Sequence, residues 1–147
     1  MSDPLGFLLT DVARLLRRRF DERVRALGVT RPQWRTLTTL SRHEGANQGT
    51  LADLLEVEPI TLCRMIDRLE ESGLVERRRD PADRRAWQIF LTDAARPMLD
   101  KLRAHADALI GHALAGLDTA EQQQFAAALE LLRANLLLSE SDQAAHG

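Results

Sequence analysis

The stretch "LVERRRDPADRRAWQIFLT", residues 74–92, decides how the whole chain is read. It places five arginines in nine positions, Arg77 to Arg79 and then Arg84 and Arg85. Its flanks, "LVERRR" and "AWQIFL", alternate or nearly alternate in polarity, with "DPADRR" between them. Alternation with period two predicts two strands, and the central run predicts a turn longer than a two-residue type I′ loop. The expectation is a β-hairpin that holds Arg84 and Arg85 out at its tip. Asp80 and Pro81 shape the turn, and Asp83 is expected to brace a tip arginine through a bidentate pair. Arg77 to Arg79 alternate faces along the first strand, so at most two of them point the same way; Arg78 is taken as the outward one.

Immediately before the hairpin lies "PITLCRMIDRLEESG", residues 59–73. Pro59 suits the first residue of a helix, and Gly73 suits a left-handed cap that ends it. On a helical wheel Leu62, Met65, Ile66 and Leu69 share one side and are expected to pack inward. Ile60, Arg64 and Glu71 lie opposite, flanked by Thr61 and Arg68. The preceding "TLADLLEV" reads as a short helix starting near Gln48. Short helix, tight turn, second helix and hairpin together predict a winged helix-turn-helix. In such a motif the second helix enters the major groove, N-terminal part foremost. Arg64 is then placed to read guanine, while Thr61 and the backbone N–H groups near Pro59 suit a phosphate. Arg84 and Arg85 suit the minor groove beside it. The bland alternative, a solvated face with Arg64 or Arg68 paired to Asp67, Glu70 or Glu71, is weakened by the hairpin that follows.

Outward from this centre the chain reads as helices. Apolar residues recur at helical spacing from Leu5 to Leu27, and Gly28 is a natural stop. "TRPQWRTLTTLSRH" predicts a second helix capped at Thr30 or Arg31, and "EGANQG" a loop. After the hairpin, Thr92 or Asp93 is expected to cap a long fifth helix through about Leu117. "DTAE", with Asp118 and Glu121, predicts a capping box that opens a sixth helix to about Leu138. The expected fold is mainly α with a small β-hairpin wing (α+β). The boundaries are 1–30 for an N-terminal dimerisation helix, 31–92 for the winged helix-turn-helix, 93–138 for C-terminal dimerisation helices and 139–147 for a flexible tail. All of it is expected to form one compact domain.

Bulk properties narrow the function classes. At 147 residues with formal net charge −2, the chain has an ordinary single-domain size. The charge is unevenly spread: residues 1–35 carry eight arginines against four acids, and residues 118–147 one against five. A slightly acidic total is therefore compatible with an anionic partner. Nineteen of the twenty cations are arginine, whose planar fork suits phosphates and guanine edges. One cysteine, Cys63, excludes an internal disulfide. There is no apolar run of membrane-spanning length and no secretory n-region, so no membrane association and a cytoplasmic location, at the nucleoid when bound to DNA, are expected. No Gly-rich phosphate loop, HExxH or GxSxG occurs, and His43, His105, His112 and His146 are scattered, so neither an enzyme, a cofactor nor a metal site is expected.

"TLCRMIDRLEESGLVERRRDPADRRAWQIFLT" resembles the recognition-helix and wing signature of MarR-family transcriptional regulators. "DPLG" at Asp3–Gly6, "VT" followed by Trp34, and "ADRRA" at Ala82–Ala86 are most similar to the SlyA branch. The likeness runs over residues 4–138. It implies a homodimer with intertwined first and last helices, a palindromic double-stranded DNA operator, and control by small aromatic carboxylates or phenols. It matches Arg64 to the major-groove arginine and Arg84, Arg85 and Asp83 to the wing tip. Cys63 stands where the family usually has Thr, Ser or Val.

Three further expectations follow. Leu5, Leu8, Val12, Leu129, Leu132, Leu136 and Leu137 exceed what one protomer covers and are candidates for a two-fold interface. Arg14, Arg17, Trp34 and Thr38, by their spacing, form a candidate site for a small aromatic carboxylate. Cys63, on the flank of the recognition helix, is either a small apolar filler or a thiol whose oxidation alters DNA binding. The competing classes are a winged helix that binds only proteins and a thiol-responsive regulator acting through Cys63.

Overall fold

The computed structural model describes the backbone of residues 3–145 and the side chains of residues 3–138. Six helices and one hairpin follow in order: α1 (Leu5–Val24), α2 (Arg31–Arg42), α3 (Gln48–Leu55), α4 (Pro59–Glu71), β1 (Val75–Arg79), β2 (Trp87–Leu91), α5 (Arg96–Ala113) and α6 (Thr119–Ala145). The mainly helical fold with a winged helix-turn-helix is the one expected. No helix among the described residues is long and apolar enough to cross a membrane.

Local chemistry sets the element ends. Thr30 caps α2 in a full capping box: its hydroxyl accepts from the Gln33 N–H, and the Gln33 side chain accepts from the Thr30 N–H. The sequence reading had the cap but not the reciprocal glutamine. Asn47 caps α3 by accepting from the Thr50 N–H at 2.8 Å. Asp118 and Glu121 form the expected box at the start of α6. Gly73 adopts φ 75°, and the Leu74 N–H reaches back to the Leu69 carbonyl at 2.9 Å. Only a left-handed residue reverses the chain this tightly, which is what lays the hairpin back against α4.

Three boundaries differ from expectation. The last residues of the first helix, Arg25–Leu27, tighten into a 3₁₀ turn before left-handed Gly28. The fifth helix begins at Arg96 after a 3₁₀ turn at Asp93–Ala95 and ends at Ala113, short of Leu117. Pro97 then falls in the first turn, where its missing N–H has no intrahelical acceptor. The sixth helix is described to Ala145, beyond Leu138. The expected flexible tail, 139–147, lies outside the described side chains.

The hairpin is antiparallel, with Arg77 opposite Ile89 and Arg79 opposite Trp87. The predicted loop at residues 44–49 does more than connect. The Gly45 N–H donates to the Ile89 carbonyl and the Ile89 N–H to the Ala46 carbonyl, both at 2.9 Å, and Asn47 bridges Gln88. The root of the wing is thus paired on both edges of β2.

Contacts divide the chain into two compact units, Met1–Leu109 and Ile110–Gly147, where one compact domain was expected. The physical reason is where the core lies. Every buried residue among the described ones lies between Phe20 and Leu109. The first unit is centred on Leu37, Leu40, Leu51, Leu62, Ile66 and Ile89, all fully buried. In the second unit α6 leaves Phe125, Leu129 and Leu132 exposed.

Candidate nucleic-acid interface

Helix α4 buries Leu62, Ile66 and Leu69 and half-buries Met65, as its wheel predicts. The opposite face carries Ile60, Thr61, Arg64 and Arg68, all exposed. Neither the Arg64 nor the Arg68 side chain has a hydrogen bond or ion pair among the described residues. Two of the three acids that were their expected intrahelical competitors, Asp67 and Glu70, are occupied elsewhere. Arg77 of β1 reaches Asp67 at 2.6 Å and Glu70 at 3.1 Å. It also donates to the Gln48 side chain at 2.9 Å and the Cys63 carbonyl at 3.2 Å. Its side chain is only 13% exposed. Burial alone would lower its pKa, but the Asp67 hydrogen bond and charge, with Glu70, outweigh that and hold it above its ordinary value. One arginine therefore ties the wing to α3 and α4, and by neutralising two acids leaves Arg64 and Arg68 available to an outside anion.

Sequence reasoning missed this role, because alternation alone could not choose among Arg77, Arg78 and Arg79. The available signal was Asp67 and Glu70, three apart on α4 and just ahead of the Gly73 reversal. Arg78 is exposed but committed in part: it pairs with Glu76 and lies 4.0 Å from the Phe90 ring centroid. Arg79 stacks 4.5 Å over Trp87 and donates to the Arg84 carbonyl at 2.6 Å.

The wing tip answers why aspartates accompany its arginines. The Asp80 carboxylate accepts from the Ala82 N–H at 2.8 Å, and that of Asp83 from the Arg85 N–H at 3.0 Å. Both acids close turns on the backbone two residues ahead. Asp83 therefore does not form the expected fork with a tip guanidinium. Such a pair would have to compete with the backbone bond that holds the turn. Arg84 and Arg85 are exposed, and their side chains have no partner among the described residues. Cys63 lies on the flank of α4, between its buried stripe and its exposed face. It is half-buried, and its sulfur lies 3.8 Å from the Arg77 guanidinium. It faces a cavity of about 390 Å³ that Gln48, Asp67, Glu70 and Trp87 also line, not the outer face.

The expected carboxylate site looks different once side chains are in place. The Trp34 indole N–H donates to Asp21 at 2.6 Å, and its ring meets Phe20 edge-on at 4.7 Å. The Thr38 hydroxyl donates to the Trp34 carbonyl at 2.8 Å. Arg14 pairs with Asp11 at 3.6 Å, and Arg17 is exposed. Thr38 lines a cavity of about 340 Å³ with Thr39, Arg42, His43 and Leu54, which Arg14, Arg17 and Trp34 do not reach. A different cavity, of about 130 Å³, lies where α2 meets α4. Its wall is Arg31, Pro32, Arg35, Thr36, Leu55, Val57, Thr61 and Met65. Arg31 also ion-pairs with Asp21.

Asp21 consequently joins α1 to α2. Burial tends to raise its pKa, but hydrogen bonds from Arg31 and Trp34 and the nearby guanidinium charges win and lower it. A depressed folded-state pKa gives stability that is present above the ordinary carboxylate value and lost as pH falls through the folded-state value. Acid unfolding below about pH 4 should therefore be blunted in Asp21→Asn, which is already less stable at neutral pH. Circular dichroism against pH checks this; an unchanged acid limb would remove Asp21 as its cause.

Helices α1 and α6 each leave exposed the apolar residues assigned to an interface. Leu5 is 68% exposed, Leu8 41%, Val12 49%, Leu129 40% and Leu132 38%, with Leu136 and Leu137 also exposed. On α1, Phe7, Leu9 and Leu15 are exposed as well, and on α6 so is Phe125; none of the four was assigned to an interface from the sequence.

A two-stranded wing beside a helix whose outer face carries unpaired arginines defines a winged helix-turn-helix of the nucleic-acid-binding type. A model of the MarR family matches residues 29–87. A MarR-family transcriptional regulator from Silicibacter pomeroyi is 32% identical, with 88% of each chain covered and a TM-score of 0.76. The MarR family protein Rv2887 of Mycobacterium tuberculosis, solved in complex with salicylic acid, is 30% identical over 89% of this chain and 97% of that one, TM-score 0.72. A MarR transcriptional regulator from Methanosarcina mazei is 26% identical over 90% and 96%, TM-score 0.80. The chain belongs to the MarR family of transcriptional regulators.

Proposed function

We propose that this chain is a homodimeric, sequence-specific regulator of the SlyA-like branch. In this reading it acts in the cytoplasm on palindromic double-stranded DNA, and a small aromatic carboxylate weakens its grip. The observation that carries the DNA part is the sequestration of Asp67 and Glu70 by Arg77, which leaves Arg64 and Arg68 unpaired beside a wing with two more unpaired arginines. Arg64 reads guanine; Thr61 and the N–H groups at Pro59 take phosphate; Arg84 and Arg85 follow the minor groove. Branch membership is supported by "DPLG" at Asp3–Gly6 and "ADRRA" at Ala82–Ala86.

Selection of bound DNA from a random library tests the reading directly. Arg64→Ala is expected to relax preference at one base pair and weaken binding by about 1–3 kcal/mol. Arg84→Ala with Arg85→Ala should weaken all sequences and flatten the salt dependence by about 0.9 log units per lost phosphate contact. Retention of full affinity by both variants, or binding without a steep salt dependence, would favour a winged helix that contacts only proteins.

The aromatic-acid part is supported by the likeness to the salicylate-bound mycobacterial protein and by the cavity at α2–α4. That cavity has mostly apolar walls and is lined by Arg31 and Arg35 of α2 and by Thr61 and Met65 of α4. A carboxylate there competes with Asp21 for Arg31 and presses on the recognition helix, so it favours a state with lower DNA affinity. This fits better than the outer surface at Arg14, Arg17, Trp34 and Thr38, where Asp21 already holds the indole. Salicylate is expected to quench Trp34 in a Trp87→Phe background and to weaken operator binding, with both effects reduced in Arg35→Ala. Loss of both in Arg17→Ala instead would return the site to the outer surface.

A further inference from the structure

We infer that Ile60 determines specificity by packing on the C5-methyl group of a thymine close to the guanine that Arg64 reads; this rests on the DNA-binding reading above. Ile60 is 61% exposed at the second residue of α4. It is four residues before Arg64 and so shares its face. Apart from its neighbour Pro59, every other aliphatic side chain of α4 is buried or half-buried, so Ile60 is the one branched apolar group on an otherwise polar face of the helix among the described residues. The first turn of a recognition helix is the part that lies deepest in the major groove. The groove offers such a side chain one apolar partner, the thymine methyl, which cytosine lacks. Being β-branched, Ile60 has few rotamers to lose on contact. The two Cα atoms are about 6 Å apart along the helix and base pairs are spaced about 3.4 Å, so the thymine falls within two base pairs of the guanine.

The test uses the full-length protein on its selected operator. The guanine is identified as the position whose preference is lost in Arg64→Ala. Each thymine within two base pairs of it is then replaced by deoxyuridine, which removes only the methyl group. For one of them, replaced in a single half-site, the wild-type protein is expected to bind about fourfold more weakly, the effect of one buried methyl. Ile60→Ala is expected to bind thymine and deoxyuridine operators alike while still preferring the guanine. Selection of an operator with the guanine but without methyl sensitivity, or equal sensitivity in Ile60→Ala, overturns the inference and leaves the DNA-binding reading standing. Recovery of no preferred sequence overturns that reading itself.

Discussion

Arg77→Ala is expected to weaken operator binding about thirty- to a hundredfold and to lower thermal stability, although the Arg77 side chain is largely buried against α3 and α4. The substitution removes the bonds to Asp67, Glu70, Gln48 and the Cys63 carbonyl together. The two carboxylates are about half exposed, so water takes up part of the loss. About 2 kcal/mol is reasonable, below the range for fully buried pairs, or about 4–8 °C in melting temperature for a chain of this size. The larger effect is on binding. A wing no longer fastened to α4 must be ordered when it meets DNA, at about 1–1.5 kcal/mol per half-site. Two half-sites give about 2–3 kcal/mol, or roughly thirty- to a hundredfold. The freed Asp67 and Glu70 also turn toward Arg64 and Arg68 and repel phosphate. Arg77→Lys should recover stability better than affinity, since a point charge cannot hold several partners in a plane. Calorimetry and DNA titration separate the two effects. A lower melting point with unchanged affinity would reduce Arg77 to a fold staple.

Removal of the α1 surface should be more drastic still. Residues 1–12 contain Leu5, Phe7, Leu8 and Val12, from 41% to 68% exposed in the single chain. Contiguous apolar surface of this kind marks an interaction site. In the proposed homodimer it is covered symmetrically, and two recognition helices are set about one DNA turn apart. Deletion of 1–12, or Leu8→Asp with Val12→Asp to guard against insolubility, is expected to yield monomers. Affinity for a two-half-site operator should then fall by about 10²–10⁴, because the second half-site no longer binds as part of the same particle. Sedimentation of the wild type as a monomer at micromolar concentration would refute the dimer.

Most of the winged helix-turn-helix was legible from the sequence because its signals are local. The apolar period changes from helical to alternating at Gly73, and Pro59, Gly73 and Asp118 punctuate the chain at the right places. What stayed hidden depends on contacts distant in sequence. The pairing of Gly45 and Ala46 with Ile89 has no strand signature in "EGANQG". The choice of Arg77 as the buried arginine depends on acids seven and ten residues upstream. Trp34 was grouped from the sequence with Arg14, Arg17 and Thr38, but its N–H goes to Asp21 thirteen residues away, a partner no helical spacing indicates. The α2–α4 cavity combines residues 31 to 65 and has no linear pattern at all.

The outward apolar residues of α1 make the amount of chain present a thermodynamic variable. In the proposed homodimer, folding and association share one equilibrium, so each tenfold dilution removes about 1.4 kcal/mol per mole of dimer. Dilute samples should melt at lower temperature than concentrated ones of the same protein. Occupancy of an operator at low expression then grows with the square of the chain concentration, and becomes linear only once dimers predominate. A modest change in synthesis or degradation is thereby amplified at the operator before any effector is bound.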